Sequence, residues 1–171
     1  MRTTTAAIAV LVASTLSVFA EESRELGAHE HGHVTLFVAV EGQAVAMELE
    51  APGENIVGFE HAAETAEQKG AVEKARAALA DPLALFAVPA EAGCTVASAD
   101  VELHSEGDHN AFEASYALAC TAVAAIDRIE TKLFTLYPSI EEIEVSYATA
   151  AGQGAAELTA DSPVLSLPAA N

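Results

Sequence analysis

The sequence predicts an α+β domain: antiparallel sheet built from hairpins, with two helices on one face, in the order β-β-α-β-β-α-β-β. Two observations carry this. Apolar residues alternate with polar ones in several short segments, the period of a half-buried strand, and two longer segments space them at helical intervals. Glycine- or proline-bearing turns join neighbouring strand segments closely enough for hairpins.

The first strand is expected over 31–40, with Val34, Leu36, Val38 and Val40 on one face and His33, Thr35 and Phe37 on the other. Glu41-Gly42-Gln43 turns the chain, Val45, Met47 and Leu49 mark the returning strand, and Pro52-Gly53 ends it. The first helix is expected over 65–80, where Thr65 and Gln68 have capping-box spacing and Ala71, Val72, Ala75, Ala78 and Leu79 give a packing face. Asp81-Pro82 stops it. Strands follow at 95–104 and 111–120. The second helix is expected over 122–137, from Val123, Ile126, Ile129, Leu133 and Leu136 at helical spacing, ended by Pro138. The last strands are 140–149 and 153–159, with a short edge at 164–167.

Residues 1–20 read as a secretion signal rather than as part of the fold. Arg2 supplies the positive start, an apolar run follows, and Val18-Phe19-Ala20 suits cleavage before Glu21. The run is diluted by Ser14, Thr15 and Ser17 and falls short of the ~20 residues of a membrane span. The expected mature protein is an arm at 21–30 and one domain at 31–168, periplasmic, with no membrane insertion after cleavage. Its 171 − 20 = 151 residues carry 6 − 26 = −20 charges, because Arg2 leaves with the signal. Such a field repels phosphate backbones, which excludes nucleic acid as a partner. It attracts cations, although an acidic surface also simply keeps an alanine-rich chain soluble. Cys94 and Cys120, the only cysteines, read as a disulfide in an exported chain. The alternative, a metal-binding thiol pair, needs reduced thiols.

Half of the six histidines fall within His29-Glu30-His31-Gly32-His33. Residues two apart on a flat strand lie roughly 6.5–7 Å apart, too wide for chelation, but a frayed strand start lets imidazoles converge on an ion at about 2.0–2.1 Å. Glu30 or Glu25 can add an oxygen. Imidazole suits zinc, copper and nickel alike. A second candidate is His104-Ser105-Glu106-Gly107-Asp108-His109. If residues 105–108 form a four-residue hairpin loop, His104 faces His109 closely enough to share a metal, with Glu106 and Asp108 as carboxylates nearby. An ordinary exposed hairpin tip explains the same residues. His61, after Phe59-Glu60, reads as a packed, hydrogen-bonded residue. No Gly-x-Ser-x-Gly elbow, His-Glu-x-x-His helix or phosphate loop is present, so no enzyme is expected.

Several segments carry a family resemblance: His31-Gly32-His33 before a strand; Leu49-Glu50-Ala51-Pro52 with Asn55-Ile56-Val57-Gly58-Phe59-Glu60-His61; Asp81-Pro82-Leu83-Ala84-Leu85-Phe86; Gly93-Cys94; Phe112-Glu113-Ala114-Ser115-Tyr116 with Cys120; and Ile140-Glu141-Glu142-Ile143-Glu144-Val145 with Gly152-Gln153-Gly154. The chain resembles the zinc-regulated periplasmic zinc-binding proteins of the ZrgA type across its mature length. The resemblance implies expression under zinc limitation, zinc binding in a Gram-negative periplasm, and a part in zinc uptake or delivery, with a zinc ABC transporter or other envelope protein as acceptor. Many relatives carry a long histidine- and aspartate-rich loop between the third and fourth strands. Here only residues 104–109 stand there, so a single site or weak buffering is what carries over. An exported interaction module with incidental histidines is the competing reading.

Overall fold

The computed structural model describes residues 32–168. The expected signal at 1–20 and the arm at 21–30 lie outside them, as do His29 and His31.

The first hairpin forms where the alternation places it. β1 (His33–Glu41) and β2 (Ala44–Pro52) pair antiparallel through a two-residue turn whose Gly42 sits at φ 61, a conformation a Cβ disfavours. Val34, Leu36 and Val38 face Val45, Met47 and Leu49 in the core. A single helical turn, α1 (Gly53–Val57), follows Pro52 and ends on left-handed Gly58. α2 (Ala66–Leu79) has the full capping box between Thr65 and Gln68 and buries Val72, Ala75 and Leu79. Asp81 caps the short α3 (Pro82–Leu85) by accepting from Ala84 N–H, and β3 (Phe86–Ala87) continues from it. β4 (Cys94–Glu106) and β5 (His109–Cys120) make the second hairpin, with a disulfide joining the directly opposed Cys94 and Cys120.

The second expected helix is not there. Residues 122–137 break into a 3-10 turn at Val123–Ala125, a strand β6 (Arg128–Thr131) and one turn of helix, α4 (Leu133–Leu136). Ile126, Ile129 and Leu133 are buried as expected, but around Ile129 the burial alternates with period two. Tertiary pairing decides the matter: β6 lies between Phe86–Ala87 and the late strand β9 (Val164–Ser166), where β-branched Ile129 and Thr131 fit a pleat better than a helix.

β7 (Glu142–Thr149) and β8 (Gly152–Thr159) form the last hairpin. The main sheet has six strands in the order β4-β5-β2-β1-β7-β8, and a second sheet has the order β3-β6-β9. The architecture is thus α+β and mostly antiparallel, with two corrections. The element order differs from β-β-α-β-β-α-β-β, and the pairing of β1 with β7 is parallel. Hairpin reasoning misses that pairing because it joins strands from opposite ends of the chain.

One face of the main sheet meets the helices and the small sheet. Leu79, Leu85, Phe86, Phe112, Leu118, Leu133 and Ile143 are fully enclosed there, each worth roughly 1.5–3 kcal/mol of burial. Tyr116 donates its hydroxyl to Leu79 O at 2.9 Å, tying sheet to helix.

Candidate metal centre

At one end of the main sheet β1, β5 and β7 begin while β2 and β4 finish. His33 and His109 are the first residues of their strands, and His104 lies two residues before the end of β4.

Gly32 fixes where the histidine-bearing segment enters. Its φ is +90, which favours glycine, and a Cβ there would also crowd the Glu141 side chain at 3.0–3.2 Å. Its N–H donates to Asn55 Oδ1 at 3.0 Å, and its carbonyl accepts from Glu141 N–H at 2.8 Å and Glu142 N–H at 3.1 Å. Asn55, buried in α1, also donates from Nδ2 to His33 O at 3.1 Å. One side chain thus latches residues 32 and 33 to the rest of the domain.

Each described strand-end histidine stands beside glutamate. His33 Nδ1 is 3.6 Å from Glu142 Oε1. His109 Nδ1 is 2.7 Å from Glu60 Oε2. His104 Nε2 is 3.1 Å from Glu102 Oε2 and 3.4 Å from Glu113 Oε2. For His33 and His109 the contact uses Nδ1, so Nε2 is the nitrogen turned away from the carboxylate.

The expected opposition of His104 and His109 does not occur. The β4–β5 turn has two residues, Gly107 and Asp108, so His109 pairs with Glu106 and His104 with Ala111. Gly107 at φ 60 suits the first position of such a turn, which is tighter than the four-residue loop expected. Asp108 is exposed on the turn, and the Glu106 side chain lies outside what is described. His33 and His104 are separated by β2 and β5, three inter-strand steps or about 14 Å. Among the described residues no group of three or more His, Cys, Asp or Glu is assembled to hold an ion.

His61 is exposed, its ring held by local contacts and its carbonyl tied to β5. It stacks on Phe59 with ring centroids 5.1 Å apart, its Nδ1 lies 2.9 Å from Ala62 O, and its own carbonyl accepts from Asn110 Nδ2 at 2.8 Å. Buried Asn110 occupies the space a Cβ on Gly53 would need, which packs the residue 53–61 segment onto the start of β5 and brings Glu60 to His109.

A model of the ZrgA family of zinc uptake proteins matches residues 28–167. The chain belongs to this family. The match takes in all six histidines. No curated protein matches the chain. In this ZrgA-family chain, sequence reasoning missed Asn55, Glu60, Glu102, Glu113 and Glu142. Two of these had a signal. Gly107-Asp108 favours a two-residue turn, and with that register Glu102 falls on the face of His104 with Glu113 directly across. Glu60 and Glu142 reach their histidines only through tertiary packing.

Proposed function

We propose that the chain is a periplasmic, non-catalytic zinc-binding protein that takes up the ion and passes it to a zinc transporter or another envelope protein. The observation that carries this is the match to the zinc uptake family, and His33, His104 and His109 support it by lying at the same end of the sheet, each beside glutamate. In sequence, residues 29–31 directly precede Gly32.

A carboxylate on one ring nitrogen orients an imidazole and raises its basicity toward a metal on the other nitrogen. Glu60 and Glu142 are placed to do this for His109 and His33. His104 contributes differently, because its Nε2 is already flanked by Glu102 and Glu113. Glu102 at 3.1 Å and Glu113 at 3.4 Å hold that ring from the same side as charged hydrogen-bond partners. His29 lies four positions before His33, and an extended chain of that length reaches about 13–14 Å. That is comparable with the distance across β2 and β5, so His29 has the reach to join His104 in one site, while His31, about 7 Å from His33 at most, would act beside His33. With both cysteines in the disulfide, the ligands are imidazole and carboxylate, a set that zinc shares with copper and nickel. Asp108, exposed in the same hairpin turn, is a further oxygen donor, and Glu106 precedes that turn in sequence.

The test is calorimetric titration of the mature protein with zinc, copper and nickel, repeated on His29→Ala/His31→Ala/His33→Ala and on His104→Ala/His109→Ala. Zinc binding that either variant weakens at least about tenfold, equivalent to ~1.4 kcal/mol, is expected. Tight binding untouched by both variants would reject the site. No binding by the wild type would reject the function in favour of an interaction module.

A further inference from the structure

The other face of the main sheet carries no layer among the described residues. Thr35, Phe37, Glu48, Glu113, Ser115, Glu144 and Ser146 are all exposed on it. The six strands contain no lysine or arginine. Glutamates stand directly opposite one another across neighbouring strands: Glu102 with Glu113, Glu113 with Glu50, and Glu144 with Glu157. Like charges so placed weaken a sheet, and threonine at the same positions would stabilise it. The residues are therefore poor choices for the free sheet and good ones for a cationic guest.

Shape and one aromatic say which guest. A concavity of about 740 Å³ is lined by Thr35, Phe37, Glu48, Glu50, Glu113 and Glu144. Phe37 is 41 % exposed within it, opposite Glu48 on β2 and Ser146 on β7. Glu50 and Glu144 lie one row along on either side, both opposite Thr35. An aromatic face ringed by carboxylates is complementary to a planar guanidinium, which stacks on the ring while its edge donates to the oxygens. A bare metal ion makes no use of Phe37. A second copy of the chain brings the same negative charge and is repelled.

We infer that this concave face docks an arginine-bearing basic segment of a partner protein. The inference shares Glu113 with the proposed zinc site but does not need zinc, and the variants below leave His33, His104, Glu102 and Glu113 intact. The probes are fluorescein-labelled hexa-arginine and hexa-lysine peptides, read by anisotropy on the mature chain at about 150 mM salt, where distant charges are screened. Hexa-arginine is expected to bind at least about fivefold tighter than hexa-lysine, and Phe37→Ala to abolish that preference. Glu48→Gln/Glu50→Gln/Glu144→Gln is expected to weaken hexa-arginine at least about tenfold. The equal-charge control on the helical side, Glu64→Gln/Glu67→Gln/Glu73→Gln, should change it less than about twofold. Far-UV dichroism and melting confirm that the variants fold, and zinc titration of the open-face triple should match wild type. Equal losses in both triples would reduce the effect to net charge and overturn the proposal. Equal affinity for the two peptides, loss of zinc but not of peptide binding in the open-face triple, or peptide-independent dimerisation through this face would each overturn it as well.

Discussion

Glu60 and His109 are 49 residues apart in the chain and meet at 2.7 Å, carboxylate Oε2 to imidazole Nδ1. The glutamate side chain is 15 % exposed and the histidine 63 %, so an inner carboxylate holds an outer ring. The contact exists because Asn110 packs against Gly53 and ties down the His61 carbonyl. A loop far from β5 in sequence thereby sets the direction in which His109 presents its other nitrogen.

Glu60→Gln keeps the size of the side chain and removes its charge. Zinc affinity should fall about 10–100-fold, the usual effect of losing a carboxylate behind a ligating histidine. Competition against a chromophoric chelator measures this, and an unchanged affinity removes His109 from the site.

Asn55→Ala takes the acceptor from Gly32 N–H and the donor from His33 O, both at the entry of the histidine segment. Stability should drop by about 1–3 kcal/mol, the cost of stranding a buried polar group. Urea unfolding should show a lower midpoint at unchanged slope. Zinc affinity should fall too, because residues 29–33 lose their anchor. A variant that loses stability but keeps full affinity would separate the latch from the site.

Cys94 and Cys120 close a loop with a sequence separation of 26. Reduction, or the Cys94→Ser/Cys120→Ser pair, should destabilise the domain by about 3 kcal/mol, mainly by freeing the unfolded chain. Zinc stoichiometry should be unchanged in the double serine variant. A fall in stoichiometry would mean that the thiols bind metal after all.

Tyr116 is buried and donates to Leu79 O, and burial, reinforced by nearby Tyr137, raises its pKa above the ordinary value of 10.0. The folded state therefore keeps the phenol proton after the unfolded chain has released it. Its contribution is fully present below pH 10.0 and fades as the pH rises above that, since the unfolded state then binds fewer protons. Tyr116→Phe should cost about 1 kcal/mol at neutral pH. It should also decline less steeply in melting temperature above about pH 10 than the wild type. Tyr137, likewise raised by burial, supplies the residual slope.

Local signals made much of the fold legible. Alternation located the β1–β2 hairpin, and the Thr65–Gln68 cap located α2. The region around Ile129 was not legible, because its spacing satisfies a helix while a partner strand 35 residues later, Val164, claims Glu130 for a sheet. The candidate site divided the same way. Its histidines stood out by their spacing, whereas the glutamates beside them depend on strand register and on packing between distant segments. Gly107-Asp108 shows how small the gap was: a turn shorter by two residues moves His104 from His109 to Ala111.

The parallel β1–β7 pair sets the order in which the domain can be finished. His33 aligns with Glu142, 142 − 33 = 109 positions further along the chain, and that whole stretch must exist before the ladder closes. Until then β1, paired with β2 on one side, keeps its other edge open at what becomes the middle of the sheet. Closing so long a loop is entropically slow, and contacts this distant in sequence go with slow folding. A growing chain therefore cannot complete its central ladder before the residue 142–149 strand is made, and one edge of β1 stays open for mispairing until the carboxy-terminal hairpin arrives.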